Sequence, residues 1–232
     1  MLQNALSKYL SAKFDENQMR KEKDGQGLVV TISRQTGCDG LPIIEKLVKK
    51  LNQKKHPFGK PVKWKYLSKE ILVKSANKLR IHPDKIERLL NEQEKNIFEE
   101  ILLSLSDKNY PSDIKIKKTI KEVIETAAKE GNVVILGRGG VALTRHLKKS
   151  LHIWFSAPLE WRIKKEAIEF NTTEQSAEKH IKISDKQRSD LRNYYFGKVK
   201  DDTVFDVVYN VSTMKSSEIV NSIYQLIVSR QG

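Results

Sequence analysis

Two rhythms of apolar and polar positions alternate along the chain. Short β-branched runs, Val29, Val30, Thr31 and Ile32, then Val62 to Leu67, Asn132 to Leu136, Leu151 to Ser156 and Phe205 to Val211, predict five strands. Between them apolar residues return at helical spacing: Ile43, Ile44, Leu47, Val48 and Leu51, then Lys69 to Leu79, Pro83 towards Leu105, Ile114 to Glu130, a helix opened by Pro158, Thr173 to Tyr195, and Ser217 to Val228. Gly131 is a helix stop. The third strand is apolar after its first residue, as expected where helices cover both faces. Strands alternating with helices predict an α/β fold around a parallel sheet.

Residues 1–27 stand apart. Leu2, Ala5, Leu6, Tyr9, Leu10 and Phe14 form one helical stripe, and a charged, glycine-containing connection follows. The expectation is an N-terminal helical extension packed on the core or on a second subunit, which makes a homodimer through this helix a candidate. A membrane-surface helix is the alternative, with no tryptophan on the stripe to favour it. Residues 28–232 read as one domain, because no proline-rich or glycine-serine linker divides them.

Charge adds candidate partners without changing the fold. The 43 Lys+Arg against 29 Asp+Glu give a formal +14, which suits nucleic acid, phosphorylated ligands or an acidic surface. The lysines are spread over helix faces and loops, with modest concentrations at 46–65 and 115–121, so solvated lysine faces are favoured over a dedicated nucleic-acid surface. A single cysteine, Cys38, excludes an intrachain disulfide and points to a reducing compartment. No apolar segment approaches the length of a membrane span and no signal-peptide core opens the chain, so the expected location is the cytoplasm. The five histidines and one cysteine show no zinc-ligand spacing, so no built-in metal is expected.

Two glycine-bearing turns carry the candidate chemistry. The first follows the first strand as Ser33, Arg34, Gln35, Thr36, Gly37, Cys38, Asp39 and Gly40, and leads into a helix. Glycines let the backbone turn its N–H groups inward and the helix adds the positive end of its dipole, so an anion fits there. The full motif GxxxxGK[ST] is absent, and an ordinary strand-to-helix turn is the competing reading. The second turn, Gly137, Arg138, Gly139 and Gly140, follows the third strand. In parallel sheets ligands bind beyond the C-terminal strand ends, where both turns fall. Cys38, near a helix N-terminus, is either a favoured thiolate or a small residue in a serine-like position. Trp64, Trp154 and Trp161 read as packing residues rather than base-stacking platforms.

With these turns aligned, the chain resembles the cytidylate-kinase-like family of phosphate-loop nucleoside monophosphate kinases over roughly residues 28–228. Four ordered segments carry the resemblance: ISRQTGCDG, VVILGRGG, HIWFSAPLEWRI, and the run from Asp185 through Arg188, Tyr194, Tyr195 and Gly197 to Asp201, Phe205, Asp206 and Asn210. The resemblance implies a three-layer P-loop NTPase or nucleoside monophosphate kinase fold: a five-stranded parallel sheet, a helical monophosphate-binding region and a helical lid. It also implies transfer of the γ-phosphoryl of ATP, with Mg²⁺ brought by the nucleotide, to a monophosphate such as CMP or dCMP. Residues 33–40 then become the ATP-phosphate loop, and Gly137 and Arg138 the monophosphate site. Arg188, Arg162 and Arg192 become the groups that neutralise the transferring phosphoryl, with Asp185 keeping the lid arginine oriented. A planar guanidinium holds two phosphate oxygens at once, which suits Arg138 to its role.

The departures from the family pattern are concentrated in the loop. Gly40 stands where classical monophosphate kinases have the loop lysine, and Pro42 where they have the hydroxyl on Mg²⁺. The family's usual GSGGRE here has Asp39 for a glycine, Leu41 for the arginine and Pro42 for the glutamate. A carboxylate inside a phosphate cradle repels the ligand unless a cation intervenes. Ser68 replaces an aspartate after the second strand, and Gly139 an aspartate after GR. Weak phosphoryl transfer is therefore the leading reading. A nucleotide-binding or regulatory module that has lost turnover, and a basic nucleic-acid-binding protein, are the competing ones.

Overall fold

The computed structural model describes residues 27–53, 63–68, 111–197 and 202–231. The expected N-terminal helix and the helices expected between Lys69 and Leu105 lie outside the described residues. Five strands, β1 (Val29–Arg34), β2 (Lys65–Leu67), β3 (Val133–Leu136), β4 (Ser150–Ser156) and β5 (Val207–Asn210), form one sheet in the order β2-β3-β1-β4-β5. Every pairing is parallel, with Val30 beside Val134 and Leu151. The helices of the described residues are α1 (Leu41–Gln53), α2 (Pro111–Glu130), α3 (Gly140–Thr144), α4 (Leu159–Glu169), α5 (Glu174–Phe196) and α6 (Ser216–Gln231). The expected α/β architecture and its five-stranded parallel sheet are thus present.

Side chains alternate across a strand, and here both faces are buried. Val30, Ile32, Val134, Leu136, Leu151, Ile153 and Phe155 pack with Ile44 and Leu47 of α1 and with Ile219, Ile223 and Ile227 of α6. On the opposite face Val29, Val133 and Ile135 meet Ile124 and Ala128 of α2 and Leu143 of α3. Trp64 is in the first cluster, and its backbone is held at both N–H and C=O by the Asn52 side chain at the end of α1. That clamp delivers the chain into β2, which is shorter than the expected 62–67 run.

Two further boundaries differ from expectation for visible reasons. β5 starts at Val207 because Asp206 is engaged differently: its N–H donates to the His152 carbonyl at 2.7 Å and its carboxylate accepts the His152 N–H at 2.6 Å. The basic stretch after Gly140 contains α3, whose five residues are all buried and too few for a helical periodicity to show. α5 opens at Thr173, whose hydroxyl accepts the Ser176 N–H, and closes before Gly197 at φ 69°.

Candidate functional site

At the C-terminal end of β1 the chain turns through residues 35–40 before α1. This turn is held by its neighbours at almost every residue. Gln35 donates its N–H to the Phe155 carbonyl at 3.0 Å, and its side chain accepts the Ala157 N–H at 3.1 Å, tying the turn to the end of β4. Gly37 has φ 84°, and a Cβ there would stand 3.2 Å from Cβ of Arg162. Both the backbone sign and the close approach favour glycine.

α4 supplies two cations, one turn apart, to successive carbonyls of the turn. Arg162 donates through Nη1 to the Thr36 carbonyl at 3.3 Å, and Lys165 donates through Nζ to the Gly37 carbonyl at 3.0 Å. In a planar trans peptide the N–H of the next residue points opposite to the carbonyl. Drawing the Thr36 carbonyl towards α4 therefore turns the Gly37 N–H away from that helix. The Cys38 N–H closes the turn on the Gln35 carbonyl at 3.1 Å.

α5 reaches the same turn with a carboxylate. Asp185 Oδ1 accepts the N–H of Thr36 at 2.7 Å and its hydroxyl at 2.8 Å, while Oδ2 accepts from Arg162 Nη1 at 2.7 Å. Arg162 is 5% exposed and spends Nε on the Ala157 carbonyl, so it braces the underside of the turn. It was expected to neutralise a phosphoryl group; in this structure its Nε and Nη1 bond to Asp185 and the backbone. Asp185, expected to orient Arg188, is committed to Thr36 and Arg162. Arg192 lies over the Trp154 ring at 5.3 Å, and Trp154 in turn packs on Phe205 at 5.0 Å. Those contacts give Trp154 a packing role.

A cavity of about 140 Å³ opens between the turn, α4 and α5. Arg34, Lys165 and Arg188 line it together with Thr36, Gly37 and Asp39. Lys165 Nζ is 4.0 Å from Asp39 Oδ2 and 5.6 Å from the Trp161 ring. A cation thus stands against the carboxylate that the loop had acquired. Sequence reading missed Lys165, although it follows Arg162 by three residues on one helix face, the spacing that brings two side chains together.

Arg34 connects this cavity to the second turn. A Cβ placed on Gly137 would be 3.3 Å from Arg34 Nη1, and one on Gly40 would be 3.4 Å from Arg34 Cδ. Gly137 keeps its N–H on the Ile32 carbonyl at 2.9 Å, and Arg138 and Gly139 follow with φ of 55° and 69°. Arg138 is half-buried just past the end of β3. Gly139 is covered by Tyr195, whose ring a Cβ would approach to 2.5 Å and whose hydroxyl donates to the Lys117 carbonyl at 2.7 Å. Ser33, at the end of β1, is buried. Burial pushes the Cys38 thiol up to about 11, although Arg162 and Lys165 pull against it. The thiolate reading is therefore set aside in favour of a small packed side chain.

A second group of polar side chains lines the far wall. Glu166 of α4 and His180 of α5 approach to 2.8 Å, Oε2 to Nδ1, and His180 Nε2 is 3.1 Å from Ser184 Oγ. Among the described residues no group of three or more His, Cys, Asp or Glu stands where it could hold a metal ion. No helix of the described residues is long and apolar enough to cross a membrane.

Comparison with known proteins agrees with this architecture. Residues 29–213 match the sequence model described as the cytidylate kinase-like family. No curated protein matches the chain. A crystal structure of an uncharacterized protein from Eubacterium ventriosum ATCC 27560 is similar, with a TM-score of 0.58 at 18% identity, over 88% of this chain and 99% of that one. At that identity the likeness speaks for the fold. The crystal structure of TT1252 from Thermus thermophilus aligns with a TM-score of 0.43 at 12% identity, over 90% of this chain and 100% of that one.

Proposed function

The chain belongs to the cytidylate kinase-like family, and from that membership we propose that it transfers the γ-phosphoryl of ATP to a nucleoside monophosphate, CMP or dCMP first among them. The observation that carries the proposal is the cavity at the C-terminal end of β1, where Arg34, Lys165 and Arg188 converge on a glycine-bearing turn. Phosphoryl transfer asks little of a protein beyond position and positive charge around the equatorial oxygens. Arg188 on α5, the helix expected to serve as lid, and Lys165 on α4 provide that charge. Mg²⁺ brought by the triphosphate would supply further positive charge to the phosphate oxygens. Arg138, past β3 in the turn whose Gly137 lies against Arg34, takes the acceptor phosphate.

Lys165 answers the objection raised by the loop. Gly40 and Pro42 remove the usual lysine and hydroxyl, and Asp39 adds a negative charge, so an unassisted loop would repel a triphosphate. With Nζ 4.0 Å from that carboxylate and bonded to the Gly37 carbonyl, Lys165 neutralises Asp39 and brings a cation to the cavity wall. The turnover expected is slow, because one partly exposed lysine replaces two groups. Asp185, seated on the Thr36 N–H and hydroxyl, favours the second reading, a nucleotide-binding module without turnover, since an anion there meets a carboxylate.

A coupled phosphoryl-transfer assay across the common monophosphates, with Mg²⁺ and ATP, decides between them. Monophosphate-dependent ADP production that falls in Arg138→Ala supports the kinase. Tight nucleotide binding with no transfer to any monophosphate supports the binding module.

A further inference from the structure

Transfer of a phosphoryl group to a monophosphate needs no general base, because the attacking phosphate oxygen is already ionised. The cavity nevertheless contains the parts of one. Glu166 is 5% exposed and its Oε2 lies 2.8 Å from His180 Nδ1. A carboxylate can only accept, so Nδ1 carries the proton, and in the neutral ring Nε2 is then the unprotonated nitrogen. Ser184 Oγ stands 3.1 Å from that nitrogen and, in that tautomer, is the donor. Phe170 holds the ring from the side, edge-on at 6.0 Å and 75°. A serine inside a helix ordinarily bonds to the carbonyl four residues back. Ser184 is instead directed at the side chain four residues back, on the cavity wall it shares with Lys165 and Arg188.

Carboxylate, imidazole and hydroxyl in this order are the arrangement that activates an oxygen nucleophile. We propose that Ser184 is a phosphoryl acceptor within the chain, phosphorylated by the nucleoside triphosphate bound in the same cavity. This rests on the reading of that cavity as a triphosphate site. In the step, Ser184 Oγ attacks the γ-phosphorus and forms the new P–O bond. The bond from the γ-phosphorus to the β,γ-bridging oxygen breaks, and its electron pair leaves with the nucleoside diphosphate. The hydroxyl proton passes to His180 Nε2, and the resulting imidazolium is held by Glu166. The phosphoserine carries a charge of about −1.5 to −2 and faces Lys165 and Arg188. It then occupies space that a second triphosphate requires, so the modified protein binds nucleotide more weakly.

The test incubates the full chain with Mg²⁺ and γ-labelled ATP, maps any label by peptide mass spectrometry, and measures ATP binding on the same sample by equilibrium dialysis. Label on Ser184 is expected, with none in Ser184→Ala and labelling slowed roughly 10²-fold in His180→Asn, the usual worth of a positioned base. Glu166→Gln, which keeps the side-chain size, serves as a second probe of the relay. It should slow labelling as well, and circular dichroism reports whether each variant is folded. ATP bound without label on Ser184 overturns the proposal and leaves the cavity assignment standing. Label on Ser184 at the parent rate in a folded His180→Asn protein overturns the relay. No ATP bound together with no label on Ser184 overturns both this proposal and the reading it rests on.

Discussion

Replacing Lys165 by methionine keeps most of the stem and removes the charge. At 4.0 Å from Asp39, a full charge pair would carry about 4 kcal/mol at an effective dielectric of 20. The two side chains are 31% and 60% exposed, so solvent screening limits the pair's share of folding stability to about 1 kcal/mol or less. Its effect on the proposed phosphoryl transfer should be larger. A preorganised donor removed from a water-excluded site costs about 3 to 4 kcal/mol, or roughly 10² to 10³ in rate. A lysine that keeps part of its hydration should supply less, so kcat/KM is expected to fall about 10- to 100-fold, with weaker Mg·ATP binding measured by calorimetry. Asp39→Asn in the methionine background should recover part of the loss, because it removes the unneutralised carboxylate, and Lys165→Arg should retain more activity than methionine. A folded Lys165→Met protein with both constants within about twofold of the parent would refute the assignment of Lys165 as the loop's missing cation.

The remaining predictions address other parts of the site. Arg188→Ala should lower kcat with little change in the acceptor KM, and Arg138→Ala should raise the acceptor KM; the steady-state constants of both variants check this. Gly139→Ala adds a Cβ at φ 69° and 2.5 Å from the Tyr195 ring, so thermal unfolding should show a loss of about 2 to 4 kcal/mol, and an unchanged melting temperature would discount the contact. Stability should also fall on mild acidification. Burial lowers the His152 pKa from its ordinary value, against the pull of Asp206, so its contribution is present above pH 6.5 and is lost as pH drops towards the native value while the unfolded chain takes up the proton first. Denaturant titrations from pH 7.5 to 5 should show a slope of at most about 1.4 kcal/mol per pH unit from this group, absent in a folded His152→Asn variant.

The sheet was legible because its signals are local and doubled. Val133, Val134, Ile135 and Leu136 are apolar without alternation because both faces are covered, the pattern expected of a strand inside a parallel sheet. The helix α3 was not legible, since five buried residues after Gly140 carry no period to read. Among the site residues, the turn at 33–40 announced itself by its glycines, and Arg188 and Asp185 through the family resemblance of the helix that carries them. The partners of Asp185 and Arg162 did not. Their pairing spans 23 residues and joins α5 to α4 through a turn that precedes both by more than 100. Lys165 was hidden for the same reason: a lysine on a charged helix is one of many until the fold sets it against Asp39.

This arrangement moves the loop's electrostatics onto a neighbouring helix. Where a loop lysine would carry its charge on the same backbone that wraps the phosphates, here Arg162 and Lys165 stand three residues apart on α4 and hold two successive carbonyls of the turn. One of the two is buried and braces; the other is partly exposed and can reach a ligand. Arg162 also fixes Asp185, so α4, α5 and the turn meet at a single guanidinium, whose removal would leave a partly buried carboxylate without its cation. The turn's shape therefore depends on α4 as much as on its own glycines. A substitution at Arg162 should disturb the turn, α5 and the cavity together, whereas one at Lys165 should leave the backbone in place and remove only charge.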